Sequence, residues 1–289
     1  MSMKFRKFRL CGSFGILLLL PLLTLFSAAQ QLQHTTVIPD AATLMKEVVE
    51  NQHRLDKVRE SYTYKESVAT EEIDGKGRVN KTEREEFEVF FVNGHEIHRK
   101  VAVDGKPLDG QDLEKETEHV TKEVERAEKT PPDKSPEGQQ VIHISRLLSL
   151  MEISNPRVEE VKGRATYVYD FCGKRDAETH GMVEDASKKI AGTIWIDVKD
   201  RQVARLDSRF LENFHVGGGL VANVLKGTSF HFEQGPVKNE LWLPTAAEIN
   251  FEARVLLLKG IRQHVTVLDH DYERFHVETE QKGAVVEKP

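Results

Sequence analysis

Alternation of apolar and polar positions with a period of two dominates this chain, and it is clearest from Ile190 to Leu211. Thr193, Trp195 and Asp197 fall on one side of a strand, and Ile194, Ile196 and Val198 on the other. The charged tetrapeptide Lys199-Asp200-Arg201-Gln202 predicts a turn. Beyond it Val203, Arg205, Asp207 and Arg209 alternate against Ala204, Leu206, Ser208 and Phe210. Two strands folded back on each other, one face wet and one apolar, describe an antiparallel sheet covered on a single side.

The same pattern recurs on both sides of this hairpin. Ser61 to Val68, Thr82 to Val92 and Glu96 to Val103 read as strands. Asp74-Gly75-Lys76-Gly77, Asn93-Gly94 and Asp104-Gly105 are the turns that link them into a meander. Strands resume over Val158 to Phe171, Val224 to Phe232, Glu240 to Val255 and Ile261 to Phe275. Leu256-Leu257-Leu258 predicts a strand end covered on both sides or the edge of a greasy cavity.

Helical spacing appears in three places. Leu44, Met45, Val48, Leu55 and Val58 form a stripe behind Asp40, a suitable N-cap, and predict a helix to Arg59 lying on the sheet. From Asp112 to Lys129 the stripe narrows to Leu113, Thr117, Val120, Val124 and Ala127 among glutamates and lysines. The breaker-rich TPPDKSPEG of residues 130–138 follows, so this excursion is either a surface helix with its loop or a lid over a pocket. Val141 to Ile153 predicts a short apolar helix stopped by Asn155-Pro156. Gly173 to Lys189 is polar and reads as a long loop.

The N-terminus changes the picture of where the sheet resides. Lys4, Arg6, Lys7 and Arg9 precede a 13-residue apolar run, Phe14 to Phe26, and then Ser27-Ala28-Ala29. This is the layout of a secretory signal peptide, too short for a comfortable membrane span, with an uncleaved anchor as the alternative. Cleavage after Ala29 removes four basic and no acidic residues and takes the formal charge from −6 to −10. An acidic chain without basic clusters argues against nucleic acid as a partner. Cys172 is then the single remaining thiol, which rules out an internal disulfide, and its place in a strand predicts a buried side chain, with a reactive or intermolecularly bridged thiol as the alternative.

Two segments resemble a known family. Gly192-Thr193-Ile194-Trp195-Ile196-Asp197 with Val203-Ala204-Arg205-Leu206, and Leu241-Trp242-Leu243-Pro244-Thr245 leading into the strand to Val255, look like the periplasmic lipoprotein-carrier family (the LolA/LolB/RseB-like fold). Tyr272-Glu273-Arg274-Phe275 is similar to its last strand, so the resemblance spans about residues 165–277. It implies an α+β, β-rich fold: a curved antiparallel sheet, an unclosed half-barrel, with helices covering the concave face. The expected organisation is a signal peptide over 1–29, a flexible leader over 30–39 and one LolA-like domain over 40–277. That domain carries a charged insert at about 109–138, and a disordered tail occupies 278–289. The resemblance further implies a non-enzymatic protein of the periplasm that binds acylated lipoprotein or lipid for outer-membrane lipoprotein sorting. An envelope membrane protein is a further partner in the alternative, an RseB-like sensor. The family's lid-holding arginine has no counterpart that can be placed in this sequence.

A search for chemistry leaves the non-enzymatic reading in front. The chain has twelve histidines. His95 and His98 point to opposite faces of a strand, while His231, His264, His270 and His276 lack the spacing of a metal site. No Gly-x-Ser-x-Gly elbow is present, and no carboxylate pair stands out, so no catalytic residue, metal or cofactor is assigned; a secreted hydrolase whose residues converge only in the fold remains the alternative. The triple glycine Gly217-Gly218-Gly219 is not followed by Lys-Ser/Thr and predicts a bend in the sheet, not a phosphate cradle. What remains is an apolar sheet face, a pocket wherever helices leave it uncovered. Alternation assigns to it Ile194, Ile196, Leu206, Phe210, Phe230, Phe232, Trp242, Leu243, Phe251 and Val255.

Overall fold

A computed structural model describes residues 38–132, 134, 144–216, 221–237, 241–255 and 259–275. The predicted signal peptide, most of the leader and of the 130–138 linker, the triple glycine, the Leu256-Leu257-Leu258 run, His276 and the tail lie outside the described residues.

The chain opens with α1 (Ala41–Arg59), where Asp40 Oδ2 accepts the Thr43 amide at 3.0 Å and fixes the helix start. Then come β1 (Tyr62–Ile73), β2 (Val79–Val92), β3 (His95–Val103) and the two-residue β4 (Lys106–Pro107). The turns between them are built by the residues the sequence singles out. Asn93-Gly94 and Asp104-Gly105 both adopt positive φ, as two-residue hairpins of this type require. Next are α2 (Gly110–Lys129), α3 (Ile144–Ser149), β5 (Met151–Val161) and β6 (Arg164–Gly173). After them α4 (Met182–Ser187) leads into β7 (Ile190–Asp197) and β8 (Val203–Phe210). The last strands are β9 (Phe214–Val216), β10 (Ala222–Val224), β11 (Ser229–Val237), β12 (Leu241–Val255) and β13 (Lys259–Arg274).

The thirteen strands among the described residues belong to one sheet, in the order β4-β3-β2-β1-β13-β12-β11-β8-β7-β6-β5, with the β9/β10 hairpin attached to β12. Every pairing is antiparallel, and the sheet does not close into a barrel. β1 pairs with β13, so the N-terminal meander and the C-terminal strands form one surface. Helices α1 and α3 lie on one face. Leu44 and Val48 of α1 and Leu148 of α3 pack on Tyr167, Tyr169 and Phe171 of β6 and Ile194 and Ile196 of β7. We call this the inner face.

Helix α2 covers the other end of the sheet. Its Ala127 is fully buried, Asn93 Nδ2 donates to the carbonyl oxygens of Ala127 and Thr130 at 3.2 and 2.8 Å, and Glu116 Oε1 accepts the Lys100 amide at 2.8 Å. That last bond satisfies an N–H on β3 where pairing slips between Glu86 and Phe87. Leu113, by contrast, is half exposed, so only the C-terminal part of the predicted stripe is used.

Three sequence expectations change. Asn155-Pro156 does not end a helix: α3 stops at Ser149 and β5 runs through the pair. Asn155 takes φ +51° in a bulge between Ser154 and Arg157, and β5 is an edge strand, where a missing N–H costs nothing. The polar 173–189 stretch contains α4, held from outside by side-chain bonds rather than by an apolar stripe. Cys172 is exposed, because Tyr167, Tyr169 and Phe171 take the inner face and the period of two turns Cys172 outward.

Candidate functional site

Register shows how differently the two faces are built. Residues paired across an antiparallel ladder share a face. On the inner face Tyr169, Ile194, Leu206, Phe232, Ala247, Val267 and Val68 stand side by side from β6 to β1, an apolar row crossing seven strands. One step away on the outer face, Asp170, Thr193, Asp207, His231, Glu248 and Thr266 make the corresponding row, six polar residues that end at Ala69 of β1. Helix coverage of the apolar row is uneven. Tyr169 and Ile194 are buried beneath α1, whereas Leu206, Phe232, Ala247, Val267 and Val68 are only half-buried.

Beside this row a cavity of about 300 Å³ opens over β8, β11 and β12. Phe210, Phe230, Ile249 and Phe251 form its floor. Met182 and Ala186 of α4 make one wall, and Phe214, Val216 and Val224 of the β9/β10 hairpin make the other. Its lining is almost wholly apolar, with Ser208, Arg209, Thr228 and Ser229 as the polar residues. Met182 is 51% exposed and Phe230 38% exposed, so the mouth presents greasy side chains to solvent.

The ten candidate residues are distributed over this face as follows. Phe210, Phe230 and Phe251 line the cavity. Phe232 is stacked on Phe230 at 6.3 Å, and Leu206 packs at the boundary of the α1 core. Val255 ends β12 opposite Ala222 of the hairpin. Ile194 and Ile196 are filled over by α1 and are core. Trp242 packs with Leu55 and Ala204, and Leu243 packs with Tyr62, Tyr64, Val89 and Tyr272, so both also sit in packed clusters away from the cavity. Sequence reading did not name Ile249, though it alternates in step with Phe251, or the α4 wall, which lies in a polar stretch with no apolar period.

The α4 wall is held by charge. Arg146 of α3 donates through Nε and Nη2 to the two carboxylate oxygens of Glu184 at 2.9 and 2.8 Å, and the His180 amide adds a third bond at 2.8 Å. These bonds, led by that from Arg146, pull the Glu184 carboxyl down to about 2. Arg146→Ala is expected to release α4: hydrogen exchange over residues 182–187 should accelerate, because the buried Glu184 carboxylate loses the partner that holds it.

At the opposite end the inner face turns polar. Tyr64 and Arg59 both donate to Glu96, His98 Nδ1 lies 3.2 Å from Glu66 Oε1, and Asp269 pairs with Glu66 across the ladder. Asp269 Oδ1 is buried without a hydrogen-bond partner. Burial, then the nearby Glu66 carboxylate, pushes the Asp269 carboxyl up to about 6.

The outer face also carries a serine–histidine contact, Ser67 Oγ to His270 Nε2 at 3.2 Å, with His270 Nδ1 3.4 Å from Asp271. Ser67 Oγ donates to Glu86 at 2.7 Å, and the β1 amides on either side serve ladders with β2 and β13. An oxyanion formed there would find no free backbone donors.

The residues that carry the family resemblance meet at one place. Arg164 holds the buried Asp197 through bonds of 2.6 and 3.0 Å and also binds Asp200, while Trp242 Nε1 donates to Asp200 at 3.1 Å and its ring lies under the Arg164 guanidinium. The two motif segments therefore lock the β7–β8 turn to β12.

No family model and no curated protein matches the chain. Solved structures do. A LolA superfamily protein from Nitrosomonas europaea is 9% identical with a TM-score of 0.32, the match covering 83% of this chain and 96% of that one. A domain assigned to outer-membrane lipoprotein sorting from Vibrio parahaemolyticus is 10% identical with a TM-score of 0.36, covering 82% and 95%. MucB, solved in complex with MucA, is 9% identical with a TM-score of 0.22, covering 80% and 94%.

Proposed function

We propose that this protein is a non-enzymatic binder of a hydrophobic ligand, an acyl chain of lipid or lipoprotein, acting in the periplasm in outer-membrane lipoprotein sorting. The observation that supports this reading is the half-buried apolar row on the inner face beside an apolar cavity with an exposed greasy mouth. A cavity of about 300 Å³ is at the small end for a ligand pocket, so it takes one end of a chain. The remainder lies along Phe232, Val267 and Val68. Each methylene withdrawn from water there contributes about 0.8 kcal/mol.

Native mass spectrometry of the mature protein from its own compartment, with lipid extraction of the same sample, tests the proposal. A bound acyl species is the expected result, and a consistently ligand-free mass with an empty extract overturns it. Ile249→Glu, which puts a carboxylate on the cavity floor, should reduce the bound acyl species by about tenfold or more, since an unpaired buried charge costs several kcal/mol. Thr266→Gln, on the outer face of the same strand pair, should leave it unchanged.

A further inference from the structure

The polar end of the inner face lies where six elements converge around one imidazole. His98 of β3 stands 3.2 Å from Glu66 of β1 and 3.9 Å from Glu96 of β3, and its ring meets Phe87 of β2 edge-on at 6.1 Å. Arg59 arrives from the C-terminal turn of α1 and binds Glu96. From β13 come Asp269, with its unpartnered Oδ1, and Tyr272, stacked on Tyr64 at 4.8 Å. Helix α2 adds Glu123, whose charge is felt at His98 and which also pairs with His119 at 3.3 Å. Two neighbouring charges are already committed: Lys100 to Glu85 of β2, and Glu116 of α2 to the Lys100 amide.

We propose that the docking of α2 against β3 is gated by pH: the helix is held while His98 is protonated, and loosens when His98 is neutral and Asp269 is ionised. The argument is one of charge at close quarters. With His98 protonated and Asp269 neutral, two cations (Arg59 and His98) face three carboxylates (Glu66, Glu96 and Glu123). With both protons gone, one cation faces four carboxylates. The repulsion falls on the element with the least apolar anchoring. β1, β2 and β13 are fixed by ladders on both sides and β3 by its ladder to β2, whereas α2 buries one side chain fully, Ala127, half-buries Val120 and Val124, and adds polar bonds to Asn93 and Lys100.

The two protons leave in the range where this matters. Burial disfavours the charge on His98, but the bond to Glu66 and the nearby Glu96 outweigh it and hold its pKa above the ordinary imidazole value. Asp269 loses its proton at about 6. The transition therefore runs upward from about pH 6.

Hydrogen–deuterium exchange of the intact mature chain at pH 6.0 and 8.5, each corrected for intrinsic amide rates, reads the docking directly. Protection over Val120 to Ala127 should fall by about tenfold at the higher pH, the factor one pKa unit carries, while β12 is unchanged. His98→Gln should show a loosened helix already at pH 6.0 and lose the larger part of the response, the ionisation of Asp269 supplying what remains. Should His98→Gln fold poorly, Glu123→Gln on the helix surface provides the second arm: it should lower protection of α2 at pH 6.0 and have less effect at pH 8.5. Equal protection of the wild-type helix at both pH values overturns the proposal, as does a full pH response in either variant.

Discussion

Alanine at Gly192 is expected to destabilise the protein by about 3 kcal/mol or more, the upper range for forcing extra volume into a packed site. Gly192 lies on β7 in the inner-face row that runs Phe171, Gly192, Ser208, Phe230 and Ile249. A Cβ built there would overlap the Asp207 carbonyl oxygen of the neighbouring strand and crowd the end of the Phe171 ring. Neither neighbour is a flexible side-chain tip: one is backbone within a ladder, and the other is a buried ring. Relief requires β7 and β8 to part, and these strands carry the core under α1. Urea unfolding monitored by tryptophan fluorescence measures the loss. Gly235→Ala on β11 is the matched control, because nothing lies within 4 Å of its added methyl; it should shift stability by less than about 1 kcal/mol. Equal behaviour of the two variants would remove close strand approach as the reason for Gly192.

Asp269→Asn should act in the opposite direction and stabilise the fold at neutral pH by about 2–3 kcal/mol. The folded state raises this carboxyl from an ordinary value of 3.8 to about 6, so folding favours its protonated form. That stability is fully present below pH 4, declines as pH rises through 6, and is absent above. Asparagine keeps the shape and removes the charge. The difference between variant and wild type should accordingly be large at pH 8 and close to zero at pH 4. Measuring the difference matters, because other carboxylates push the other way: Asp197 and Glu184 are held below their ordinary values, and their contributions vanish on acidification. A ΔΔG independent of pH would show that Asp269 titrates normally in the folded protein.

Much of the fold was legible because strands and tight hairpins announce themselves locally. Alternation placed Ile194 and Ile196 on one side and Trp195 on the other, and the register agrees: Trp195 lies outside, under the Arg205 guanidinium. Asn93-Gly94 and Asp104-Gly105 were readable because few other pairs accept positive φ twice in succession. What escaped was anything decided by an element's place in the sheet. Asn155-Pro156 reads as a stop until β5 is known to be an edge. Helix α4 has no apolar period, since Arg146, more than thirty residues away in sequence, holds it. Parity puts Ile194, Leu206, Phe230 and Phe251 on one face, but only the position of α1 decides which are core and which line the cavity. The half-buried carboxylates at the β1–β3 end were invisible for a similar reason. Glu66, Glu96 and Asp269 look like ordinary strand charges until three strands bring them together.

The two ends of the sheet have a consequence for the protein's life in a crowded compartment. A sheet that stays open ends in rows of unpaired amides and carbonyls, a template on which further strands add. Here β5 ends the sheet with a bend and an imino residue that offers no hydrogen, and Glu159 and Glu160 place like charges along it. At the far side Glu116 of α2 already occupies an amide that an incoming strand would need. The molecule can thus keep a greasy face accessible without seeding fibrous growth, so any self-association would have to proceed face to face.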